Sequence, residues 1–163
     1  MFLVVHASVG ALVGNAVGNP AAAFSVNFLL HFLLDMIPHG DQMLYEDYKQ
    51  GKKVRKAMIH TGMDALAAAI VVAIIFSFGD FISEASVAAG VVGGLLPDFL
   101  VGMYELFHPK GRRWTGRQLN RFNRLHMHNH VFLIRNLFRT DMPLKIGFVM
   151  QAVAIVAILK LML

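Results

Sequence analysis

Long apolar runs, rather than alternation of apolar and polar positions, dominate this chain. Five stretches are apolar around most of a helical circumference: residues 2–18, 20–37, 57–78, 82–107 and 144–163. A helix that crosses a bilayer needs about 20 mostly apolar residues, and by that ruler each stretch is read as a membrane-spanning helix. Two kinds of connection separate them. Residues 40–56 and 108–124 are polar and rich in Lys and Arg, whereas 19–20 and 79–81 are short and carry neither. The segment 126–143 mixes Val131, Phe132, Leu133, Ile134, Leu137 and Phe138 with Arg135 and Arg139, which fits an amphipathic helix lying at the membrane surface. The expected fold is all-α: one membrane domain over residues 1–163, a bundle of about five transmembrane helices plus an interfacial helix.

Composition supports this reading. The chain is 56% hydrophobic and 15% charged, with mean hydropathy +0.57, whereas a soluble domain is about a quarter charged. It has no cysteine, which excludes disulfides, cysteine-ligated zinc and a cysteine nucleophile. The net charge of +5 sits in the two basic loops. The preference of Lys and Arg for the cytoplasmic side accounts for it, so membrane lipids, not nucleic acid, are the expected partners. With both basic loops inside, five spans put the N-terminus inside and the C-terminus outside. The first run ends in Asn19-Pro20-Ala21-Ala22-Ala23, as a signal peptide can. It lacks a basic start and is interrupted by His6, so a retained helix is expected. Gly10, Gly14 and Gly18, and again Gly90 and Gly94, recur every fourth residue. Such faces let helices approach closely in lipid, within one chain or across a homodimer.

The ionisable residues inside the runs change the picture most. Each costs roughly 2.5–3.5 kcal/mol to insert. They are His6; His31 and Asp35; His60 and Asp64; and Asp98, with His39 and Asp41 just past the second run. His31 and Asp35 are four apart and share a helix face, as do His60 and Asp64. In the orientation set by Lys and Arg alone, all of these fall in one layer near the inner surface. Clustered imidazoles and carboxylates suit zinc and similar divalent ions, and more than four ligands suggest two or three ions. His6, His31, Asp35, His39, His60, Asp64 and Asp98 are the candidate ligands, with Asp64 or Asp35 alternatively a catalytic base. Lys110, Arg112 and Arg113 in the second basic loop can hold phosphate. His126, His128 and His130 alternate, which faces one side in an extended stretch and scatters around a helix. His128 and His130 are taken as candidate substrate contacts. A proton or ion pathway through the same residues, or a scaffold in which a metal only fixes the bundle, are the other readings.

His6 with Gly10, then His31-Phe32-Leu33-Leu34-Asp35-Met36-Ile37-Pro38-His39-Gly40-Asp41, then Gly94-Leu95-Leu96-Pro97-Asp98, resembles small bacterial membrane-bound metal-dependent hydrolases. The His-xxx-Asp helices are more distantly similar to zinc-dependent phospholipase C, an all-helical enzyme with a three-zinc site. The resemblance covers roughly the first two-thirds of the chain. It implies His6, His31, Asp35, His60, Asp64 and Asp98 as ligands and a multi-pass protein of the bacterial cytoplasmic membrane. The implied activity is metal-dependent cleavage of a phosphoester, on a lipid or lipid-linked substrate, by metal-activated water at the cytoplasmic face.

Overall fold

The computed structural model describes residues 1–107 and 114–163. Among these residues it is all helical, with no strand. α1 (Leu3–Val17) and α2 (Pro20–Asp35) form a hairpin whose turn follows from local chemistry. Gly18 takes φ 67°, and its N–H bonds the Gly14 carbonyl to close α1. The Asn19 side chain accepts from the Ala22 N–H at 3.0 Å, and Pro20 occupies the first position of α2. Both are helix-start devices. α2 ends at Asp35, shortly before Pro38, which disfavours helix in the residue preceding it.

Three of the five expected spans, α4 (Val54–Phe78), α5 (Glu84–Phe107) and α7 (Leu144–Met162), are long and apolar enough to cross a membrane. α1 and α2 are apolar but hold only 15 and 16 residues. At about 1.5 Å per residue they fall short of the ~30 Å hydrocarbon layer. The count of five is thereby corrected to three, and the turn at residues 18–20 is the reason. α1 packs against α2, α4, α5 and α7, so its apolar surface meets protein. By contrast, Met63, Leu66 and Ile70 of α4, and Val149, Val153 and Val156 of α7, are all exposed. That continuous apolar surface suits contact with lipid.

The basic loops are partly helical. α3 (Gln42–Lys49) lies in the first, and α6 runs over Trp114–His130. The surface helix expected over residues 126–143 therefore begins earlier and ends at His130. A π-helical turn, Ile134–Phe138, follows it. The buried stripe of α6 is Gly116, Asn123, His126 and His130. Its spacing is helical, but hydropathy does not register those residue types.

The glycine stripes pack against each other within the chain. A Cβ on Gly10 would lie 2.5 Å from the Gly90 carbonyl oxygen, and one on Gly14 would lie 2.5 Å from that of Ser86. Ser86 also donates its hydroxyl to the Gly14 carbonyl at 2.6 Å. Gly90→Val is expected to destabilise the fold by about 1–3 kcal/mol or more, since the obstacle is backbone. Gly62, around which nothing approaches, is the control: Gly62→Ala should stabilise by roughly 0.5–1 kcal/mol through helix propensity. Thermal unfolding in detergent reads both.

Candidate metal centre

α1 begins, α2 ends and the second half of α5 passes at one end of the bundle, where α6 crosses α5 and α2. His31 and Asp35 of α2, Asp98 of α5 and His126 of α6 converge there within ligand distance of one another. His31 Nε2 lies 3.0 Å from His126 Nε2, 3.1 Å from Asp35 Oδ2 and 3.6 Å from Asp98 Oδ1. His126 Nε2 lies 3.1 Å from Asp35 Oδ2 and 3.4 Å from Asp98 Oδ1. A second group meets the first through Asp35 and adds His39 and His130. Asp41 belongs beside it, with Oδ1 3.0 Å from His39 Nε2 and Oδ2 3.8 Å from His130 Nε2.

The protonation of two rings follows from their partners. His31 Nδ1 is 2.7 Å from the Gly94 carbonyl, and His39 Nδ1 is 2.7 Å from the Ile37 carbonyl. A carbonyl can only accept, so each Nδ1 carries a proton and each ring turns its Nε2 toward the carboxylates. An Nε2 without a proton is an acceptor, as a carboxylate oxygen is, and such a pair needs a proton or a cation between its members. Asp35 Oδ2, His39 Nε2 and Asp41 Oδ1 are buried and make no hydrogen bond. Buried polar atoms without a hydrogen-bond partner carry a desolvation penalty, and a cation held in each group would relieve it. The dimensions agree. Ligands about 2.0–2.1 Å from a tetrahedral ion stand ~3.3–3.4 Å apart, and the separations involving His31 and His126 in the first group run from 3.0 to 3.6 Å. The Nδ1–carbonyl bonds are the outer contacts that orient metal-ligating histidines. Gly94 makes one of them possible, because a Cβ there would lie 2.7 Å from the His6 carbonyl.

Electrostatics distinguish the two histidines of α6. Burial opposes charging of His126, but the Asp35 and Asp98 carboxylates outweigh it and raise the imidazole to about 9. Burial lowers His130 to about 4 against the pull of Asp41. Burial also pushes the Asp41 carboxyl up, yet His39 and His130 hold it below the usual carboxylate range. The Asp35 and Asp98 carboxylates thus favour positive charge at this point, met by a proton on His126 or by a bound cation that replaces it.

A cavity of about 310 Å³ opens beside both groups. Asp98 and His126 of the first group and Asp41 and His130 of the second line it, together with Tyr45 of α3 and Arg135 of the π-helical turn. α3 is held in place by Glu105, which accepts from Tyr45 Oη at 3.1 Å and from Lys49 Nζ at 3.0 Å. Burial and Glu105 push the Tyr45 phenol up, so it stays a donor at neutral pH.

Of the expected ligands, His31, Asp35, His39 and Asp98 come together. His6 stands one step back: its Nε2 lies 2.9 Å from Asp35 Oδ1 and its ring stacks on His31 at 3.9 Å, so it orients both. The α-amino group of Met1 also contacts Asp35 Oδ1. His60 is not in either group. It lies between Phe2 and Phe148. Nor is Asp64, which accepts from the Leu3 N–H at 2.6 Å and the Val4 N–H at 3.2 Å. Those are unsatisfied donors of the α1 start. His128 is exposed on the far side of α6 from His126 and His130, against Phe132. Lys110, Arg112 and Arg113 lie outside the described residues. His126, whose role the sequence leaves open among His126, His128 and His130, joins the first group. Its signal was the four-residue spacing to His130, the same spacing as His31 and Asp35, which becomes informative once 114–130 is read as helix. No family model, curated protein or solved structure matches the chain.

Proposed function

We propose that this chain is a membrane-embedded metal-dependent hydrolase that holds two zinc-type divalent ions and cleaves a phosphoester at the cytoplasmic membrane interface. The observation that supports it most is Asp35: one carboxylate is shared by two adjacent His/Asp groups, and a cavity reaches both. His31, His126, Asp98 and Asp35 would hold one ion, and His39, His130, Asp41 and Asp35 the other. Neutral imidazoles with carboxylates are the donor set zinc prefers. Paired divalent ions supply polarisation of the phosphoryl oxygens and a nucleophile from water at neutral pH. The chain's own residues do the rest. His6 fixes the shared carboxylate, the Gly94 and Ile37 carbonyls fix the two rings, and Asp98 and Asp41 extend the groups to the cavity wall. α2, α5 and α6 shield the centre on its other sides. A site at the bundle end beside the basic loops can take a lipid headgroup sideways from the inner leaflet, with the N-terminus inside.

The test is turnover by zinc-loaded protein in detergent, on bis(p-nitrophenyl) phosphate and on phospholipid in mixed micelles. Removing an outer partner of a metal ligand typically costs 10–100-fold, so His126→Ala, which removes a ligand, is expected to lose more than roughly a hundredfold. Turnover unchanged in His126→Ala, or absent from loaded wild type on every phosphoester, contradicts the reading.

A further inference from the structure

We infer that the cavity beside the two ligand groups is a phosphate-binding site and that Arg135 is its anchor, an inference that rests on the hydrolase reading for what the phosphate belongs to. Arg135 sits on the π-helical turn and lines the cavity with Asp98, His126 and His130. The three carboxylates that share the cavity are engaged elsewhere, Asp98 with His31 and His126. Asp41 faces His39 and His130, and Glu46 accepts from the Gln42 amide at 2.7 Å. Among the described residues no carboxylate pairs with the Arg135 guanidinium. The cavity thus presents an uncommitted planar fork of donors on its lining, next to groups suited to cations. An anion that meets both is bound from two sides, and the guanidinium fork matches phosphate oxygens in pairs.

The geometry also explains the π-helical turn. An α-helical continuation of α6 would keep the 3.6-residue register, whereas a π turn resets it, a device frequent at functional sites. Here the reset occurs in the segment that carries Arg135 to the cavity lining. Arg135 is exposed and makes no ion pair among the described residues, so its removal tests binding without breaking one. A phosphate on a lipid and a free or soluble phosphate share this chemistry.

The experiment is calorimetric titration of zinc-loaded protein in detergent with inorganic phosphate and, separately, with a short-chain phosphatidic acid. Wild type is compared with Arg135→Gln, Arg135→Lys and Arg124→Gln, and bound zinc is measured in each. Arg124 is exposed on α6 and does not line the cavity. Arg135→Gln should weaken phosphate binding roughly ten- to hundredfold, the range for a hydrogen bond to a charged group, at unchanged zinc content. Arg135→Lys should recover part of the loss, and Arg124→Gln should change nothing. Tighter binding of the lipid than of inorganic phosphate assigns the site to a lipid headgroup, and equal binding assigns it to a soluble phosphate. Arg135→Gln binding as tightly as wild type, or wild type binding neither probe, overturns the anchor while leaving the hydrolase reading to its own turnover assay. Phosphate binding lost in Arg135→Gln from a protein that hydrolyses nothing upholds the anchor and sinks the hydrolase.

Discussion

Asp35→Ala is expected to leave the purified protein without tightly bound divalent ions, whereas His39→Ala/His130→Ala should keep one ion and His31→Ala/His126→Ala the other. The asymmetry follows from the shared carboxylate. Asp35 is the only residue present in both ligand groups among the described residues, so its loss breaks two coordination shells while each double substitution breaks one. The fold should respond in the same direction. Bound cations would compensate the buried carboxylates of the centre, and an uncompensated buried charge is strongly destabilising. A ligand that binds only the folded state raises its stability by mass action, about 2.7 kcal/mol at a hundred times its dissociation constant. A chelator should therefore lower the unfolding temperature of wild type and leave Asp35→Ala unmoved. Elemental analysis and thermal unfolding in detergent check both halves. Equal metal loss from all three variants would point to a single ion.

Asp64→Ala is expected to cost stability and not metal. The Asp64 carboxylate reaches from α4 to the first turn of α1 and takes two backbone N–H groups there, while the Gln151 side chain of α7 takes the Phe2 N–H at 2.7 Å. These donors lie at a partly buried helix start, and an unsatisfied buried group costs up to about 1–3 kcal/mol. A carboxylate at that end also suits the helix dipole. Two part-buried donors make the expected loss about 1–3 kcal/mol, with metal content per folded chain unchanged. Metal loss at full stability would return Asp64 to the ligand set.

Much of this architecture is written in the chain, and the reasons for the rest are physical. The five apolar runs coincide with five helices to within a few residues, because composition over a long window is a strong signal. Their capacity to span is not readable from apolarity alone. It depends on where Gly18, Asn19 and Pro20 end one helix and begin another, and α1 and α2 come out too short. The layer of His31, Asp35, His39 and Asp98 was legible because charge asymmetry fixed which ends of the helices lie together. His60 and Asp64 share that layer and the same spacing, yet they face the start of α1. Depth can be read from a sequence, but the rotation of a helix about its axis cannot. α6 was obscured because its buried stripe is made of Gly, Asn and His, and with it went His126.

Zinc, manganese and iron content of wild-type protein purified without chelator, measured by elemental mass spectrometry, tests the central claim most directly. Two divalent ions per chain are expected, consistent with two groups joined at Asp35. A folded protein carrying no stoichiometric metal would contradict the account and leave the His/Asp cluster to proton or ion transfer.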